Sequence, residues 1–557
     1  MDRGGAGRAV TRRQALRQLS AGLLALPLLG AAPRRPLAGL TVRAANTRGA
    51  LALPSYQIEA SVDVDGARLG ARQVVRFRNA VGKPLESVVF RAVPGAWGAL
   101  GVDASAVDGQ ARDARLNGSI LEVPFLAPLA DGAETEIELR YSIRIPREPN
   151  RIGVTGRAVA LGNWFPILTV HRGDWDRRQY VEAGDAFYTE VADYDVTLTT
   201  SRPLQIAATG RLVEGDVARA RFVARSVRDF ALAAGPWTVR SVASDDGQTT
   251  VTGYAASAER AQLYAERGAA YLRWFGTRLG AYPYPHLAIA DVDLPASYGG
   301  MEYPGLVMLS GQLAAPTPFV GSDLDTLLAH EIAHQWFYSW VGNDQFADPW
   351  LDEAFATYLP VLYYADTRPD LYPGILGRSL REGSNGPVDS AITDFSADPP
   401  YYAVVYRRGA RFLHALRDRL GDATFAELLR DHVTTHRDRL ATPRAFLDRI
   451  QASTTTNLNP LIAEFFRYGA FHYPNRQTWT LEAPTAPWRD AASVFIGAEF
   501  PITRVELWLD SRLLAGGTEN AVTVDLSGVP SGEYVFLARV WNHEGAIFER
   551  ARRVEVA

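Results

Sequence analysis

The stretch His-Glu-Ile-Ala-His at residues 330–334, followed by Glu353, decides how this chain is interpreted. Residues four apart on a helix lie one turn apart on the same face, so His330 and His334 can reach one metal ion. Hydrolytic zinc sites often use two histidines and one glutamate and leave a fourth position for water. The pattern therefore predicts one zinc ion bound by His330, His334 and Glu353. Glu331, between the histidines, is expected to take a proton from the metal-bound water.

The residues around this motif favour a largely buried helix. Ser322 or Asp323 offers an N-cap, and the residues that follow are apolar at helical spacing. The apolar pattern continues through Gln335-Trp336-Phe337 after the motif. We therefore expect the helix to end near Gly342 and Asn343.

A second helix is expected to carry the third ligand. Asp348 suits the N-cap position and Pro349 the first helical position, while Pro360 should kink or shorten the helix. The turn between the two helices is short enough for antiparallel packing. That packing would bring Glu353 back over the two histidines.

These residues resemble those of a known family. The histidine motif with Glu353 looks like the gluzincin zinc aminopeptidases, the aminopeptidase N and leukotriene hydrolase group. Gly299-Gly300-Met301-Glu302-Tyr303 is similar to the family's Gly-x-Met-Glu-Asn motif, and Tyr406-Arg407-Arg408-Gly409 resembles its Tyr-x-Lys-Gly segment. The resemblance extends over residues 45 to 476 and is strongest from 295 to 410.

The resemblance implies a role for each matched residue. Glu302 would hold the free amino terminus of a peptide through a charge-assisted hydrogen bond. The adjoining Gly299-Gly300-Met301 would contribute to substrate binding, because glycines allow the backbone to approach a ligand closely. Tyr406 would donate a hydrogen bond to the developing oxyanion. Tyr401 is a weaker candidate for a supporting hydroxyl.

The chain also departs from the family pattern. Tyr303 stands where the family has Asn, and Arg408 stands where it has Lys. The Gln- and Glu-bearing loop that the family's first domain contributes to the amine pocket is not recognisable, and the nearest segment is Gly162-Asn163-Trp164-Phe165-Pro166. We therefore expect a shallower amine pocket with intact zinc hydrolase chemistry.

The patterning predicts a multidomain α+β fold. Alternating polar and apolar residues indicate an N-terminal antiparallel β domain over residues 45–240. Helical signals with a few short strands indicate a thermolysin-like mixed catalytic domain over 241–476. Alternation returns over 477–557, which predicts a C-terminal immunoglobulin-like β sandwich.

The first 32 residues have the pattern of an export signal. Paired arginines at Arg12-Arg13 precede an apolar run from Leu19 to Leu29 and small residues at Gly30-Ala31-Ala32. The arginine pair favours the twin-arginine route. We therefore expect removal of residues 1–32 and a location outside the cell or in the cell envelope.

The composition excludes several classes of site and partner. The chain has no cysteine, so it has no disulfide and no Cys-ligated metal. Its formal net charge of −4 does not suggest nucleic-acid binding. The apolar run near the N-terminus is too short to span a bilayer comfortably, so no stable membrane anchor is expected.

Taken together, the motifs predict an exported zinc metallopeptidase that removes N-terminal residues from peptides. Two alternatives remain open. A zinc hydrolase with the same ligands could act on another bond, as an endopeptidase or an epoxide hydrolase does. A non-catalytic binding or adhesion protein could use the same scaffold, although the intact ligand set with Glu331 counts against it.

Overall fold

The computed structural model describes residues 53–466 and 479–557, apart from 157, 246, 296–297, 314, 384–385, 396–397, 485–486, 499–501, 511 and 543–546. The predicted export signal at residues 1–32 lies outside the described residues. Within the described part of the chain, no helix is long and apolar enough to cross a membrane.

The N-terminal region consists mainly of strands, because its apolar residues alternate with polar ones. In β1, for example, Tyr56, Ile58, Ala60 and Val62 are buried while their neighbours face solvent. The strands in chain order are β1 (Ser55–Asp63), β2 (Arg68–Arg78), β3 (Leu85–Arg91), β4 (Leu100–Val107), β5 (Gln110–Ala111), β6 (Arg115–Asn117), β7 (Ile120–Leu129), β8 (Glu134–Arg144), β9 (Ile152–Thr155), β10 (Ala158–Leu161), β11 (Ile167–Leu168), β12 (His171–Arg172), β13 (Asp174–Trp175), β14 (Ala192–Thr200), β15 (Gln205–Ala208), β16 (Arg211–Gly215), β17 (Arg219–Val227) and β18 (Leu232–Gly235).

These strands form one large sheet and three smaller ones. The large sheet has the order β16-β17-β14-β1-β2-β8-β4-β5, and the smaller ones are β15-β18-β10-β9, β11-β3-β7-β6 and β12-β13. The expectation of a purely antiparallel domain is wrong in one detail, because β1 and β14 pair in parallel. Between these two strands the chain forms four further strands of the large sheet and strands of all three smaller sheets, and such a long connection permits parallel pairing.

The next region combines a mixed sheet with a long helix. Its elements are β19 (Thr238–Ala243), β20 (Thr250–Ala255), α1 (Ala258–Leu279), β21 (His286–Val292), β22 (Gly300–Met301) and β23 (Leu306–Ser310). The sheet order is β19-β20-β21-β23-β22, so β22 is an edge strand, antiparallel to β23. The Ser257 side chain caps α1 by accepting a hydrogen bond from the Arg260 amide.

Helices dominate from residue 323 to residue 465. They are α2 (Asp323–Ala333), α3 (Trp350–Thr367), α4 (Tyr372–Ser379), α5 (Asp398–Tyr401), α6 (Gly409–Leu420), α7 (Asp422–His436), α8 (Pro443–Ala452) and α9 (Asn459–Phe465). A π-helical segment, Tyr402–Arg408, joins α5 to α6. Two short strands, β24 (Val341–Gly342) and β25 (Arg439–Leu440), pair in parallel.

Helix α2 begins where the sequence predicts and ends earlier. Ser322 is its N-cap, and the Ser322 hydroxyl accepts a hydrogen bond from the Asp325 amide. The helix ends at Ala333 and not near Gly342, as expected from the sequence. Apolar residues after the motif are buried in a tight turn, in which Tyr338 has a φ of 123°. An apolar run does not distinguish a buried helix from a buried turn.

Helix α3 also differs from the sequence prediction at two prolines. Its N-cap is Pro349, one residue after the expected Asp348, and no side chain caps it. Pro360 does not shorten the helix, which continues to Thr367 with Pro360 buried in its interior. The tertiary packing of α3 therefore outweighs the intrinsic cost of a proline inside a helix.

Residues 479–557 form two further sheets around a core of their own. The strands are β26 (Trp479–Glu482), β27 (Ala491–Ala498), β28 (Ile502–Leu509), β29 (Arg512–Gly517), β30 (Ala521–Asp525), β31 (Gly532–Asn542) and β32 (Ile547–Val556). The sheet orders are β26-β27-β30 and β29-β28-β31-β32. Residues from both sheets bury a common apolar cluster that includes Trp488, Leu507 and Phe536.

Among the described residues, the molecule contains two apolar cores that share no residue. One continuous core runs from Tyr56 to Phe466, so the N-terminal strands and the helical region belong to the same cluster. The second core comprises residues between Trp488 and Val556. The fold is thus a multidomain mixture of α and β structure, with a β-rich N-terminal region beside a helical region that contains the motif residues.

Candidate metal centre and active site

Three ligand atoms converge where the end of α2 faces the start of α3. The Nε2 atoms of His330 and His334 lie 3.1 Å apart. Glu353 Oε2 lies 3.3 Å from the first and 3.4 Å from the second. Atoms bound tetrahedrally to zinc at ordinary bond lengths are about 3.3 Å apart, so this triangle fits a zinc ion. The helix geometry thus brings together the three residues predicted as ligands.

The early end of α2 orients one of these ligands. The Nδ1 atom of His334 lies 2.9 Å from the backbone carbonyl oxygen of Phe337, in the turn that follows the helix. Donation from Nδ1 to a carbonyl leaves the Nε2 lone pair free for a metal, which is a common arrangement around ligating histidines. In a helix that continued to Gly342, this contact could not form. The Phe337 carbonyl would instead point along the helix and accept a hydrogen bond from the amide four residues later.

A buried arginine holds the same turn in place. The guanidinium of Arg228, which follows β17, donates to the carbonyls of Tyr338 at 2.8 Å, Trp340 at 3.1 Å and Thr189 at 3.1 Å. It also donates to the carbonyl of Arg439 in β25. Burial lowers the pKa of Arg228, and these carbonyls supply the hydrogen bonds that the buried group requires. The N-terminal β region therefore helps to hold the segment that orients His334.

Glu353 has the charge and the free oxygen that a metal ligand needs. Burial alone would raise its pKa, but the His334 and His330 rings beside it lower the pKa well below the usual range. Its Oε2 atom is buried and has no hydrogen-bond donor among the described residues. A buried, ionised and unpartnered carboxylate oxygen is costly unless a cation binds to it.

The residue before Glu353 supports it from the protein side. Asp352 is fully buried, and its Oδ1 accepts hydrogen bonds from the Glu353 amide at 2.9 Å and from Asn343 at 3.2 Å. Its Oδ2 accepts a further hydrogen bond from Gln345. Burial and the neighbouring Glu353 raise the pKa of Asp352 to about 8. This network fixes the first turn of α3, from which Glu353 projects.

Glu331 lies on α2 against the edge strand β22. A Cβ atom added to Gly300 would lie 2.4 Å from Glu331 Oε1, so only glycine leaves room for this carboxylate. Gly299 is similarly close to Leu327 of α2, and Met301 is buried. Burial raises the pKa of Glu331 to about 8. The two glycines predicted to approach a ligand thus approach the helix that carries the motif.

A second carboxylate cluster adjoins the predicted metal ligands. Oxygen atoms of Glu302, Asp185 and Glu353 lie within 4.8 Å of one another. Glu302 is 4% exposed, and its Oε1 has no hydrogen-bond donor among the described residues. Burial raises the pKa of Glu302 well above the usual range, and the charge of Asp185 adds to this effect. These carboxylates form a site suited to a cation.

Asp185 is the site residue that sequence reasoning missed. It lies in the segment between β13 and β14. The guanidinium of Arg151 donates a 3.1 Å hydrogen bond to Asp185 Oδ1. Burial raises the pKa of Asp185 to about 6, while Arg151 acts in the opposite direction. The preceding Gly184 has a φ of 55°, and a Cβ there would lie 2.5 Å from the Tyr401 hydroxyl. No motif spacing links Asp185 to the histidines, so only the fold reveals it.

The segment around Gly162 and Asn163, which in sequence is the nearest to the family's amine-pocket loop, contacts Tyr303 and Asp229. Asn163 accepts a 3.2 Å hydrogen bond from the hydroxyl of Tyr303 and donates to the carboxylate of Asp229. A Cβ on Gly162 would lie 1.8 Å from the Tyr303 hydroxyl. Gly162 and Asn163 therefore accommodate the tyrosine that replaces the family's Asn. The loop residue beside Glu302 is Asp185 instead.

Tyr406 projects from the π-helical segment Tyr402–Arg408 towards the metal ligands. Its hydroxyl donates a 2.7 Å hydrogen bond to Glu353 Oε1, and its ring stacks on His330 with centroids 5.7 Å apart. Burial, together with Glu353, raises the pKa of Tyr406 well above the usual range, so the hydroxyl remains a donor. Tyr401 contacts the Tyr406 ring edge-on. Arg408 instead donates to the carbonyl of Glu464.

Comparison with known proteins identifies what this arrangement is similar to. Residues 265–465 match the model of the peptidase family M1 domain. Endoplasmic reticulum aminopeptidase 2 of Bos taurus is 31% identical over 158 residues, covering 26% of this chain and 16% of that protein. Aminopeptidase N of Lactococcus lactis subsp. lactis is 28% identical over 172 residues, covering 28% of this chain and 20% of that protein. The chain thus matches about a fifth of the length of these curated relatives.

A solved structure covers more of the chain. The M1 zinc metallopeptidase of Deinococcus radiodurans, crystallised as a mutant with a Tyr-Ser-Ala substrate, superimposes with a TM-score of 0.58. The alignment covers 74% of this chain and 94% of that chain at 20% identity. At this identity the similarity shows a shared fold, in which a β-rich N-terminal region accompanies a helical region.

Proposed function

Because residues 265–465 form a peptidase family M1 domain, we propose that this protein is a zinc-dependent aminopeptidase that hydrolyses the first peptide bond of peptides. One observation carries the proposal. An unpartnered, buried Glu302 oxygen lies beside a triangle of ligand atoms whose spacing fits zinc. The first feature suits a substrate ammonium group, and the second suits the metal of a hydrolase.

The proposed metal site consists of His330, His334 and Glu353. A bound zinc ion would polarise the scissile carbonyl and lower the pKa of a water molecule. Glu331 would accept a proton from the attacking water and later deliver it to the leaving amine. Its contact with Gly300 keeps the Glu331 carboxylate on the side of the proposed metal site that faces β22.

The carboxylate cluster would select the substrate end. A free peptide amino terminus carries a positive charge at neutral pH, and Glu302 and Asp185 offer it charge-assisted hydrogen bonds. Holding the ammonium there fixes the register of the peptide, so that only the first peptide bond reaches the metal. An internal peptide bond brings no such cation, and therefore the buried carboxylates disfavour the endopeptidase alternative.

Tyr406 would stabilise the negative charge that develops on the carbonyl oxygen. Its hydroxyl already lies 2.7 Å from a Glu353 oxygen, which is at the metal site. Since its pKa is raised, the hydroxyl stays protonated and can donate to the oxyanion. The short shift from Glu353 to the substrate would make this hydrogen bond stronger in the transition state than in the ground state.

Three further points extend the proposal. We propose export by the twin-arginine route, supported by the paired arginines and apolar run within residues 1–32. We propose one zinc ion per chain, supported by the single set of two histidines and one glutamate among the described residues. We propose that the two C-terminal sheets form an immunoglobulin-like module, supported by their shared core.

The amine-binding role can be tested with matched substrates. A dipeptide amide with a free amino terminus and its N-acetylated form differ only in the charge that Glu302 would recognise. We expect Glu302→Gln to reduce kcat/KM for the free-amine substrate about 10- to 100-fold, since one charge-assisted hydrogen bond is lost. Asp185→Asn should act in the same direction. Zinc content, measured by native mass spectrometry, should remain at one ion per chain in both variants.

The control for this experiment is an exposed carboxylate. Glu59 lies on the solvent side of β1, so Glu59→Gln should leave both substrates unaffected. Equal cleavage of free and acetylated substrates by the unmutated protein would contradict the aminopeptidase assignment. A protein without bound zinc would contradict the metallopeptidase assignment as well.

A further inference from the structure

The π-helical segment that carries Tyr406 also carries an arginine to which the proposed function gives no role. Arg407 directly follows Tyr406 in the segment Tyr402–Arg408. π-Helical turns are rare and often lie at functional sites. The hydroxyl of Tyr406 contacts a predicted metal ligand, and Arg408 donates to the carbonyl of Glu464. Arg407 makes neither kind of contact.

The guanidinium of Arg407 has no anionic partner in the described part of the chain. No described residue forms an ion pair with it or accepts a hydrogen bond from it, and its Nε atom is buried without an acceptor. The side chain is nevertheless half-buried. Other arginines of the helical region are paired with carboxylates, namely Arg378 with Asp323, Arg411 with Glu382 and Arg417 with Asp422. A half-buried cation without an anion leaves a charge that a ligand can neutralise.

An aromatic ring holds the guanidinium of Arg407 in place. Its central carbon lies 4.7 Å from the centroid of the Tyr402 ring. Such a contact stabilises the positive charge through the face of the ring. It does not replace a carboxylate as an acceptor, so the N–H groups of the guanidinium remain available. These N–H groups form a rigid fork that matches the two oxygens of a carboxylate.

A row of rings connects the proposed metal site to Arg407. The rings of His330 and Tyr406 stack with centroids 5.7 Å apart. The Tyr406 ring in turn contacts the Tyr402 ring with centroids 4.7 Å apart, and Tyr402 contacts Arg407. An extended peptide advances about 3.3–3.6 Å per residue, so about four residues cover even the full length of this row. A short peptide bound at the metal site therefore reaches the guanidinium.

The row lies on the more accessible side of the proposed metal site. The side chain of His330 is 14% exposed, whereas those of His334 and Glu353 are 1% and 2% exposed. At the other end of the row, Tyr402 is 44% exposed. Exposure thus increases from the predicted ligands towards Tyr402 and Arg407. A peptide that enters from solvent on this side passes along the row.

We propose that Arg407 and Tyr402 form a carboxylate-binding subsite for short peptide substrates. Glu302 and Asp185 bind the ammonium group at one end of the peptide, and Arg407 binds a carboxylate beyond the scissile bond. The opposite charges of the two subsites match a peptide of about three or four residues that carries both charges. The carboxylate comes from a free C-terminus or from an acidic side chain near it, because both present the same two oxygens. This inference rests on the proposed function, which places the amino terminus at Glu302.

Matched substrates test the subsite through the hydrolysis rate. A tripeptide with a free C-terminus and its C-terminal amide differ in the carboxylate alone. We expect the unmutated protein to favour the free acid about 10-fold in kcat/KM, as for one charge-assisted hydrogen bond. Arg407→Gln should remove this preference and leave the amide unaffected, while Arg407→Lys should retain part of it. Added salt should reduce the preference in the unmutated protein, since the subsite reaches the surface.

Two further comparisons identify the source of the carboxylate and control for general effects. Tripeptide amides that end in Glu or Gln show whether an acidic side chain is recognised in place of the C-terminus. The control variant is Arg278→Gln, because Arg278 also lies over a ring, that of Trp274 at 4.0 Å, but is paired with Asp366. It should keep the preference unchanged. Equal rates for acid and amide, together with equal rates for the Glu and Gln amides, would overturn the inference. A preference that persists in Arg407→Gln would overturn it as well.

A binding measurement separates this inference from the proposed function. N-acetylated tripeptides, as free acid and amide, are titrated by calorimetry into Glu331→Gln, so that neither amine recognition nor hydrolysis contributes. We expect the acid to bind about 10-fold more tightly, and the two to bind equally once Arg407→Gln is added. If the unmutated protein hydrolyses no peptide, the proposed function fails, while this difference still decides the role of Arg407. Equal affinities in Glu331→Gln, or no binding of either peptide, would overturn that role.

Discussion

At the scale of single residues, Glu331 shows how a catalytic carboxylate can be kept apart from a metal beside it. The two histidines that flank it in sequence face Glu353, while Glu331 faces the backbone of Gly300. It is 4% exposed, and burial raises its pKa to about 8. A group that accepts and returns a proton benefits from a pKa close to the working pH.

This division of roles leads to a prediction for Glu331→Gln. The variant should keep its zinc, since glutamine has the same size and the residue is not a predicted ligand. Its kcat should fall about 10²- to 10⁴-fold, which is the usual contribution of a general base. Zinc content by mass spectrometry and steady-state kinetics measure the two effects on one sample.

The comparison variant for Glu331→Gln is His334→Ala. It should lose zinc and activity together, because it removes one of the three converging ligand atoms. Full activity in a His334→Ala protein shown to be free of zinc would end the metalloenzyme interpretation. Loss of zinc from Glu331→Gln would instead make Glu331 a ligand.

At the scale of helices and strands, the chain shows which features a local pattern can predict. The Ser322 cap and the apolar spacing after it predict the start of α2, which the structure confirms. The end of α2 is not predictable in this way. Phe337 is buried because its ring stacks on Phe355 of α3, with centroids 4.4 Å apart. That partner is distant in sequence, so the pattern around Phe337 resembles a continuing helix.

The same limit applies to the candidate site. His330, His334 and Glu353 have a spacing fixed by two adjacent helices, and their convergence follows from helix geometry. Asp185 reaches the site from a segment between strands, more than a hundred residues earlier in the chain. Its contact with Glu302 depends on the tertiary fold, which no local spacing encodes. The family resemblance is confirmed by the match at residues 265–465, and Asp185 lies outside that matched range.

Helix α7 permits a prediction about pH. His432 is 1% exposed, and its ring stacks against Phe337 and Phe355. Burial, with a smaller effect from His436, lowers the pKa of His432 to about 3. The unfolded chain binds a proton near pH 6.5, and the folded chain does not until about pH 3. Stability from this residue is therefore complete above pH 6.5 and is lost as the pH falls towards 3.

The corresponding experiment uses His432→Phe, which keeps an aromatic ring in the stack. Between about pH 7.5 and about pH 4.5, the unmutated protein should lose about 3 kcal/mol more unfolding free energy than the variant. Urea denaturation at the two pH values gives this difference. The measurement at pH 7.5 corrects for any change in packing. Equal loss of unfolding free energy in both proteins would contradict the prediction. It would show that the folded protein already has His432 protonated at about pH 4.5.

At the scale of the whole molecule, the sequence predicts regions but not how they share a core. Alternation and helical spacing separate the N-terminal β region from the helical region. The structure nevertheless buries both in one apolar cluster from Tyr56 to Phe466. Arg228 adds a polar link, since it follows β17 and donates to the turn after α2. A buried apolar face looks the same in sequence whether its partner belongs to its own region or to another.

The separation of the two cores has a calorimetric consequence. Residues that share one core unfold together, whereas two cores without common residues can absorb heat in separate steps. We expect a larger endotherm from the 53–466 part and a smaller one from residues 479–557. Zinc at a hundred times its dissociation constant should stabilise the first by about 2.7 kcal/mol and leave the second in place. In His334→Ala, zinc should move neither.

A single endotherm that shifts as a whole with zinc would mean that the two cores are energetically coupled. With two endotherms, the smaller one would serve as an internal temperature reference within every sample. Its fixed position would calibrate each scan, so that the displacement of the larger endotherm reports occupancy of the metal site alone.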